Sequence, residues 1–305
     1  MTHSHRHTDA RRPLALALAL ILALMAGEIV FGVVAGSLAL MADAGHMLTD
    51  AAALGLAVAA ASFAGRPARG RWTFGFRRLE ILAAHVNGIT LLVVGVVIVY
   101  TAVHRLNDPP DVRGGIVVAV ALAGIAVNLA ASALLIRPSR ESLNVRGAFL
   151  HVLTDVAAFG AAALAGGLIL ATGWNRFDPI ASLVVAGLML WSSVQLLRES
   201  TLIFLERAPG DIDPEAIGRA LVAERDVVEV HDLHVWTVTS GFPALSAHVL
   251  VTPGADCHAA RRRLELILGD RFGLTHTTLQ VEHAEPATSK VELGEAVARH
   301  SPLRR

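Results

Sequence analysis

The sequence predicts a helical membrane domain of six spans, followed by a small α+β domain. Of its 305 residues 54% are hydrophobic, and a mean hydropathy of +0.55 is too apolar for an ordinary soluble protein of this length. Six apolar runs each have the roughly 20 residues that a helix needs to cross a bilayer. After about Glu206 the composition changes to that of a soluble domain.

Each apolar run is interpreted as one transmembrane helix, which gives an all-α membrane domain. The runs lie near residues 14–35, 38–63, 79–103, 115–136, 147–171 and 178–197. The first run is too long for the apolar part of a signal peptide and lacks a clear cleavage site. The predicted parts of the chain are a His-containing cytoplasmic N-terminal tail, the six-span domain, a cytoplasmic α+β domain and a disordered tail, at residues 1–13, 14–206, 207–285 and 286–305.

Arginine residues predict the orientation in the membrane. Two loops between runs are rich in arginine and, with the basic N-terminus, are predicted to be cytoplasmic. Their arginines are Arg66, Arg69, Arg71, Arg77 and Arg78 in one loop and Arg137, Arg140 and Arg146 in the other. The opposite loops contain only Arg105, Arg113 and Arg176, with Asp108 and Asp111 beside two of them. Six spans return the chain to its starting side, so both termini are predicted to be cytoplasmic.

Charge and cysteine content exclude several classes of function. The formal net charge is zero and the basic residues form no stripe, so no nucleic-acid partner is expected. Cys257 is the only cysteine, which excludes an intrachain disulfide and suits a reducing compartment. Lys290 is the only lysine beside many arginines, which indicates a GC-rich bacterial genome and hence the bacterial inner membrane.

A five-residue phrase, His-x-Leu-Thr-Asp, occurs twice inside apolar runs. His46 and Asp50 belong to the first copy, and His151 and Asp155 to the second. Positions four apart share one face of a helix, so each copy presents an imidazole nitrogen and a carboxylate oxygen in the same direction. Ionisable groups inside a membrane usually mark an ion or proton path. This ligand set suits Zn²⁺ first and other first-row divalent ions next, whereas polar contact between helices is the alternative interpretation.

Other polar residues in the runs have roles that the sequence leaves open. Asp43 lies one turn before His46, either on an ion path or at the outer interface beside the Gly36-Ser37 turn. Thr49 and Thr154 are expected to bond to their own helix backbone rather than to metal. The further polar residues either line a path or join helices, with Glu28 the strongest functional candidate; they are Glu28, Glu80, His85, Asn87, Asn128 and Gln195.

The soluble part is predicted to have the order αββαβ. Asp213 as N-cap and Pro214 at the first helical position begin a helix that continues to about Arg225. A strand, a turn, a second strand, a helix and a third strand follow near residues 227–238, 240–243, 244–251, 256–272 and 277–283. A domain of about 80 residues is marginal alone, so the packing of two copies would help to stabilise it.

Histidines are concentrated in this soluble part. His231, His248 and His283 fall on three strands, where alternation could bring them to one face of the sheet, which favours a second metal site. The other potential ligands nearby are His234, His258, Asp232, Cys257, Glu282 and Glu285. At the N-terminus, His3, His5 and His7 either capture metal loosely or are inert.

Three motifs resemble those of the cation diffusion facilitator family of zinc transporters. They are the segments Asp43 to Asp50, Gly75 to Ala84 and His231 to Trp236, and the resemblance covers nearly the whole chain. It implies a homodimer of six-span protomers in a lipid bilayer, each with a cytoplasmic ferredoxin-like domain. It also implies export of zinc or a similar ion in exchange for protons. The positions of the family's transport site correspond to His46, Asp50, His151 and Asp155. This set of two His and two Asp resembles the set found in the family's zinc-preferring members.

The resemblance further implies a cytoplasmic metal site. Its ligands would be His231, His248, His258, His283 and Glu285. Glu285 stands where some members have an Asp that bridges two metal ions. Glu also carries a carboxylate, but on a longer side chain. Residues 65–78 contain no His, Asp or Cys, so no metal site is expected in that loop, where some members have one.

The predicted function is proton-coupled export of Zn²⁺, with Cd²⁺, Co²⁺ or Fe²⁺ as alternatives, by alternating access around the His₂Asp₂ site. Zn²⁺ is also the expected regulatory ligand, and no organic cofactor is expected. A membrane metallohydrolase is strongly disfavoured because no Glu follows His46 or His151 to act as general base. A passive channel is disfavoured because a closed four-ligand cage would release ions too slowly. A zinc sensor that binds metal without moving it is the alternative.

Overall fold

The computed structural model describes residues 11–64, 68–139 and 143–284. Within these ranges it describes all side chains except those of residues 11–18, 21, 53–54, 57–58, 60–62, 64, 131–132, 134–139 and 143–154. The tails at 1–10 and 286–305, Glu285 and the side chain of His151 therefore lie outside the described residues. The chain divides into two compact units between Phe204 and Leu205.

In the part of the chain that the structure describes, the first unit contains six long helices. They are α1 (Arg11–Ala35), α2 (Leu38–Ala64), α3 (Leu79–Asn107), α4 (Gly114–Ser139), α5 (Leu143–Thr172) and α6 (Phe177–Phe204). The helices extend past the apolar runs, most of all at the end of α6, because they continue into polar residues. Within the described residues, three segments are long and apolar enough to cross a membrane by length and composition: Leu79–Asn107, Asp155–Thr172 and Phe177–Phe204.

Small residues let these helices approach closely. α4 packs along α5, α3 packs along α6, and α2 contacts α1, α3 and α6. Where α4 meets α5, Gly124 lies against the ring of Phe159, which is almost completely buried. A Cβ at Gly124 would be 2.3 Å from Phe159 Cε1, so this approach requires glycine.

Substitution of Gly124 by alanine is expected to destabilise the helical unit by about 1–3 kcal/mol, as overpacking of a close-packed interior does. The added methyl group would meet the Phe159 ring, which is enclosed between α4 and α5. Thermal unfolding of Gly124→Ala beside Gly187→Ala measures the effect, because no described atom lies within 4 Å of a Cβ at Gly187. Equal unfolding midpoints for the two variants would contradict it.

The second unit has the predicted αββαβ order. Its elements are α7 (Pro214–Val222), β1 (Val227–Thr239), β2 (Phe242–Val251), α8 (Cys257–Phe272) and β3 (His276–His283). The sheet order is β1-β2-β3, with β1 antiparallel and β3 parallel to the central β2. β2 begins earlier than predicted because the hairpin turn is only Ser240 and Gly241, and Gly241 has the positive φ of +70° that such a turn requires.

Alternation along β2 separates the two faces of the sheet. From Leu245 to Val251 the odd-numbered residues are buried, in a core that includes Ile217 of α7 and Leu264 of α8. The even-numbered residues between them, including His248, are half-buried on the other face. The helices therefore cover one face of the sheet, and His248 lies on the other.

Both helices of this unit begin at acidic caps. Asp213 Oδ1 accepts a hydrogen bond from the Glu215 N–H at 2.9 Å, with Pro214 at the first position as predicted. Asp256 Oδ1 accepts one from the Ala259 N–H at 3.0 Å, and this bond holds the pKa of Asp256 below its usual value. Because the folded pKa is lowered, the cap stabilises α8 above the unfolded pKa, and this stabilisation is lost as the pH falls through the folded pKa.

Candidate metal centre

The first His-x-Leu-Thr-Asp phrase lines a cavity of about 570 Å³ in the helical unit. His46 and Asp50 enter it from α2, and Asp155 enters it from α5. The remaining polar lining comes from Asp43 of α2, Asn87 of α3, and Ser192, Gln195 and Glu199 of α6. One imidazole and both carboxylates of the expected transport set therefore meet in one cavity.

The helical spacing sets the geometry within this cavity. His46 Nε2 is 3.6 Å from Asp50 Oδ2 across one turn of α2, and both side chains are partly exposed. Asp155 is buried. His151 stands one turn before Asp155 in the sequence of α5. Thr49 Oγ1 donates to the His46 carbonyl oxygen at 2.7 Å, which confirms the predicted bond to its own backbone.

Two further carboxylates lie beside this set. Asp43 is buried and lines the cavity, which favours the ion path over the outer interface for this residue. Glu28 of α1 is completely buried, and the side chain of Asp43 lies within hydrogen-bonding reach of it. Asp43 and Asp155 are the acidic groups close enough to act on it electrostatically. A carboxylate kept in such surroundings is costly, which supports the functional interpretation of Glu28.

One buried carboxylate, Asp178, is not among the candidates that the sequence pattern indicates. It is completely buried in the first turn of α6, where it accepts hydrogen bonds from the Ser37 hydroxyl and the Leu38 N–H. An acidic residue is common in the first turn of a helix, because its negative charge interacts favourably with the positive end of the helix dipole. The sequence around Asp178 therefore gives no sign of a second role. The partner on α2 is about 140 residues away in the chain, and nothing in the local sequence shows it.

In the second unit, three potential ligands come together across β1 and β2. His231 is paired with His248 in the sheet register, and their ring centroids are 5.3 Å apart. One ligand atom from each of His231, Asp232 and His248 lies within 4.8 Å of the others, a spacing that can hold one metal ion. Asp232 joins the two imidazoles because β1 is irregular between His231 and His234, and Asp232 has a φ of +50°.

The structure separates the other predicted ligands from this group. His283 is paired with Val251, which faces the helices, so it does not join His231 and His248 on one face as expected. Its Nε2 is 3.5 Å from Cys257 Sγ and 2.9 Å from the Ala255 carbonyl oxygen, near the start of α8. His258 is exposed in the first turn of the same helix. The four imidazoles are thus divided between the sheet face and the start of α8.

Comparison with known protein families decides the class of protein. The family model described as the cation efflux transmembrane domain matches residues 14–205, which is more than half of the chain. The chain belongs to the cation diffusion facilitator family. A second model, described as the cation efflux protein, cytoplasmic domain, matches residues 209–284. As a cation diffusion facilitator, the protein is a membrane cation transporter and not a classical enzyme.

Individual members of the cation diffusion facilitator family are similar over almost the whole chain. The zinc transporter ZitB of Shigella flexneri is 41% identical over 310 residues, covering 99% of each chain. A cadmium, cobalt and zinc/H(+)-K(+) antiporter of Bacillus velezensis is 36% identical over 291 residues, covering 93% of each chain. The metal cation efflux system protein CzcD of Cupriavidus metallidurans is 38% identical over 288 residues, covering 92% of this chain and 90% of that one.

Proposed function

We propose that this cation diffusion facilitator exports Zn²⁺ from the cytoplasm in exchange for protons, by alternating access around His46, Asp50, His151 and Asp155. The observation that carries the proposal is the single cavity in which α2 and α5 present His46, Asp50 and Asp155. The names of the ZitB relative and of the zinc/H(+)-K(+) antiporter support zinc as cargo and protons as counter-ions. Cd²⁺, Co²⁺ and Fe²⁺ remain alternative cargoes, because the same ligand types bind them.

Charge balance explains how such a site exchanges its ions. Asp50 and Asp155 together carry two negative charges, which one Zn²⁺ neutralises. The imidazoles of His46 and His151 must be unprotonated to bind the metal, so Zn²⁺ and protons compete for the same nitrogens. An unperturbed imidazole has a pKa of about 6.5, so a more acidic compartment outside the cytoplasm favours release there.

The rest of the proposed architecture follows from the family and from the arginine distribution. We propose six spans in the bacterial inner membrane, with both termini and the second unit in the cytoplasm. The arginine-rich loops support this orientation. We also propose a homodimer with ferredoxin-like cytoplasmic domains, which the name of the matched cytoplasmic-domain family, ZT_dimer, supports.

The cytoplasmic domain is proposed to bind a regulatory Zn²⁺. His231, Asp232 and His248 would hold it on the sheet face, since their ligand atoms are already close enough together. His258, His283 and Glu285 would contribute to a second position near the start of α8, where Cys257 lies beside His283. The metal would favour one transport state by bringing two cytoplasmic domains together.

Zinc uptake into proteoliposomes tests the proposed function. The purified protein is reconstituted with a zinc-sensitive dye inside, and a pH gradient is imposed across the membrane. We expect uptake that increases with the gradient and stops when the gradient is dissipated. Zinc binding without flux would instead support a sensor, and flux that ignores the gradient would contradict proton coupling.

Substitution of Glu28 by glutamine is expected to lower zinc flux about ten-fold without unfolding the protein. The amide has the same shape but can neither take up nor release a proton beside Asp43 and Asp155, and groups around a metal site typically contribute 10–100-fold. The same proteoliposome assay measures the effect. Glu80→Gln is the matched control, because Glu80 is exposed in the first turn of α3. Equal flux in both variants would make Glu28 a structural residue only.

A further inference from the structure

The N-terminus of α2 is capped by a side chain from another helix. Asp178 Oδ1 accepts hydrogen bonds from Ser37 Oγ at 2.5 Å and from the Ala39 N–H at 3.3 Å, and Asp178 Oδ2 accepts one from the Leu38 N–H at 2.7 Å. Ser37 Oγ accepts a further bond from the Leu40 N–H at 3.2 Å. The first N–H groups of a helix have no carbonyl partner within it. α6 therefore supplies the cap that α2 needs.

The turn before α2 is also held from α3 and from the segment that follows it. Arg105 Nη1 donates to the Gly36 carbonyl oxygen at 2.7 Å and lies 3.9 Å from Asp178 Oδ2. The Arg113 N–H donates to the Ala35 carbonyl oxygen at 3.0 Å. Gly36 has a φ of +69°, and a Cβ there would lie 3.0 Å from the Asp111 carbonyl oxygen. The start of α2 thus has little freedom to shift against its neighbours.

Both carboxylate oxygens of Asp178 have hydrogen-bond partners although the side chain is completely buried. The carboxylate lies at the N-terminal end of α6 and faces the N-terminal end of α2, and both ends carry partial positive charge. Arg105 adds a full positive charge nearby. Three donors point at the carboxylate, whereas an amide at this position has only one acceptor oxygen.

We propose that Asp178 is a positioning residue for the metal site, because it fixes the axial position of α2 against α6. This inference rests on the proposed function of His46 and Asp50 as ligands. Leu38 lies about 12 Å before His46 along the axis of α2. A shift of the capped end along this axis therefore moves His46 and Asp50 together. α6 also forms one wall of the cavity, from Val185 to Glu199. Asp178 therefore sets where the α2 ligands stand in that cavity.

Kinetics of Asp178→Asn separate a positioning role from a merely structural one. We expect the KM for zinc to rise about ten-fold, as for residues that orient metal ligands. The maximal rate per folded protein is expected to change less. A merely structural role would reduce the amount of folded protein and leave the KM of the remainder unchanged. Asp111→Asn is the matched control, because the exposed carboxylate of Asp111 accepts its hydrogen bond from Asn175, outside α2.

A distance measurement tests the shift of α2 without relying on transport. In a Cys257→Ser background, spin labels at Leu48→Cys on α2 and Val184→Cys on α6 occupy exposed positions, and dilution with unlabelled protein isolates distances within one chain. Asp178→Asn is expected to shift or broaden the distance distribution, and Asp111→Asn to leave it unchanged.

The outcomes distinguish the inference from the function on which it rests. Wild-type KM and distances in folded Asp178→Asn would overturn the positioning role. Wild-type flux in Asp155→Asn would overturn the proposed transport site, while the distances still decide whether Asp178 places α2. If Asp178→Asn does not fold, Ser37→Ala decides, because it removes one donor to Asp178 and is expected to raise the KM two- to three-fold; an unchanged KM there overturns the inference.

Discussion

Replacing Asp155 by asparagine is expected to lower zinc flux by more than about 100-fold, because loss of a proposed direct ligand should exceed the 10–100-fold cost of losing a group around a metal site. The amide keeps the volume of the side chain but removes one of the two charges that balance Zn²⁺. Asp155 is buried in the cavity that also contains His46 and Asp50. Flux into proteoliposomes under a pH gradient measures the loss.

The control and the combined variant make this prediction sharper. Asp108→Asn removes an exposed carboxylate just after α3 and is expected to keep wild-type flux. His46→Ala is expected to lose as much flux as Asp155→Asn, and the double variant little more, because ligands of one ion act as a unit. Retained gradient-driven flux in Asp155→Asn would mean that the transport site lies elsewhere.

Replacing both His231 and His248 by alanine is expected to remove one zinc ion per protomer from the cytoplasmic domain. Of the three proposed ligands on the sheet face, only Asp232 would remain. We expect the affinity of this site for zinc to fall by at least about 100-fold. Equilibrium dialysis of the full chain measures the stoichiometry, with Asp155→Asn present in all samples to silence the membrane site. His276→Ala is the matched control, because it changes an exposed histidine on β3 that is paired with Ala244.

The same double variant, with Asp155 intact, tests the regulatory role of this metal. If zinc at the sheet face favours one transport state, the variant transports with a different dependence on cytoplasmic zinc. An unchanged rate at every zinc concentration would show that metal bound there does not regulate transport. An unchanged stoichiometry would show that the three close ligands do not hold an ion.

Much of the fold was predictable because it depends on composition and spacing. The six apolar runs correspond to α1–α6, and capping by Asp213 and Asp256 marks where α7 and α8 begin. Both signals are local, since a helix needs apolar length to cross a bilayer and an acceptor at its first turn. The structure also places His46, Asp50 and Asp155 in one cavity.

The features that sequence did not reveal depend on contacts between distant residues or on departures from regular geometry. Asp178 caps a helix that is far away in the chain. Asp232 follows His231 directly, so a regular strand would place the two on opposite faces; only the irregularity in β1 brings both to one ion position. His283 was expected beside His248, but the register of β3 pairs it with Val251 instead.

The contact between Gly124 and Phe159 limits how the metal site can move. Phe159 lies one turn after Asp155 on α5, and its ring fills the notch that the missing side chain of Gly124 leaves in α4. Rotation of α5 about its own axis would drive that ring into the α4 backbone. In the proposed transport cycle we therefore expect α4 and α5 to tilt together, so that the exposure of Asp155 changes with the tilt of this pair rather than with rotation of α5 alone.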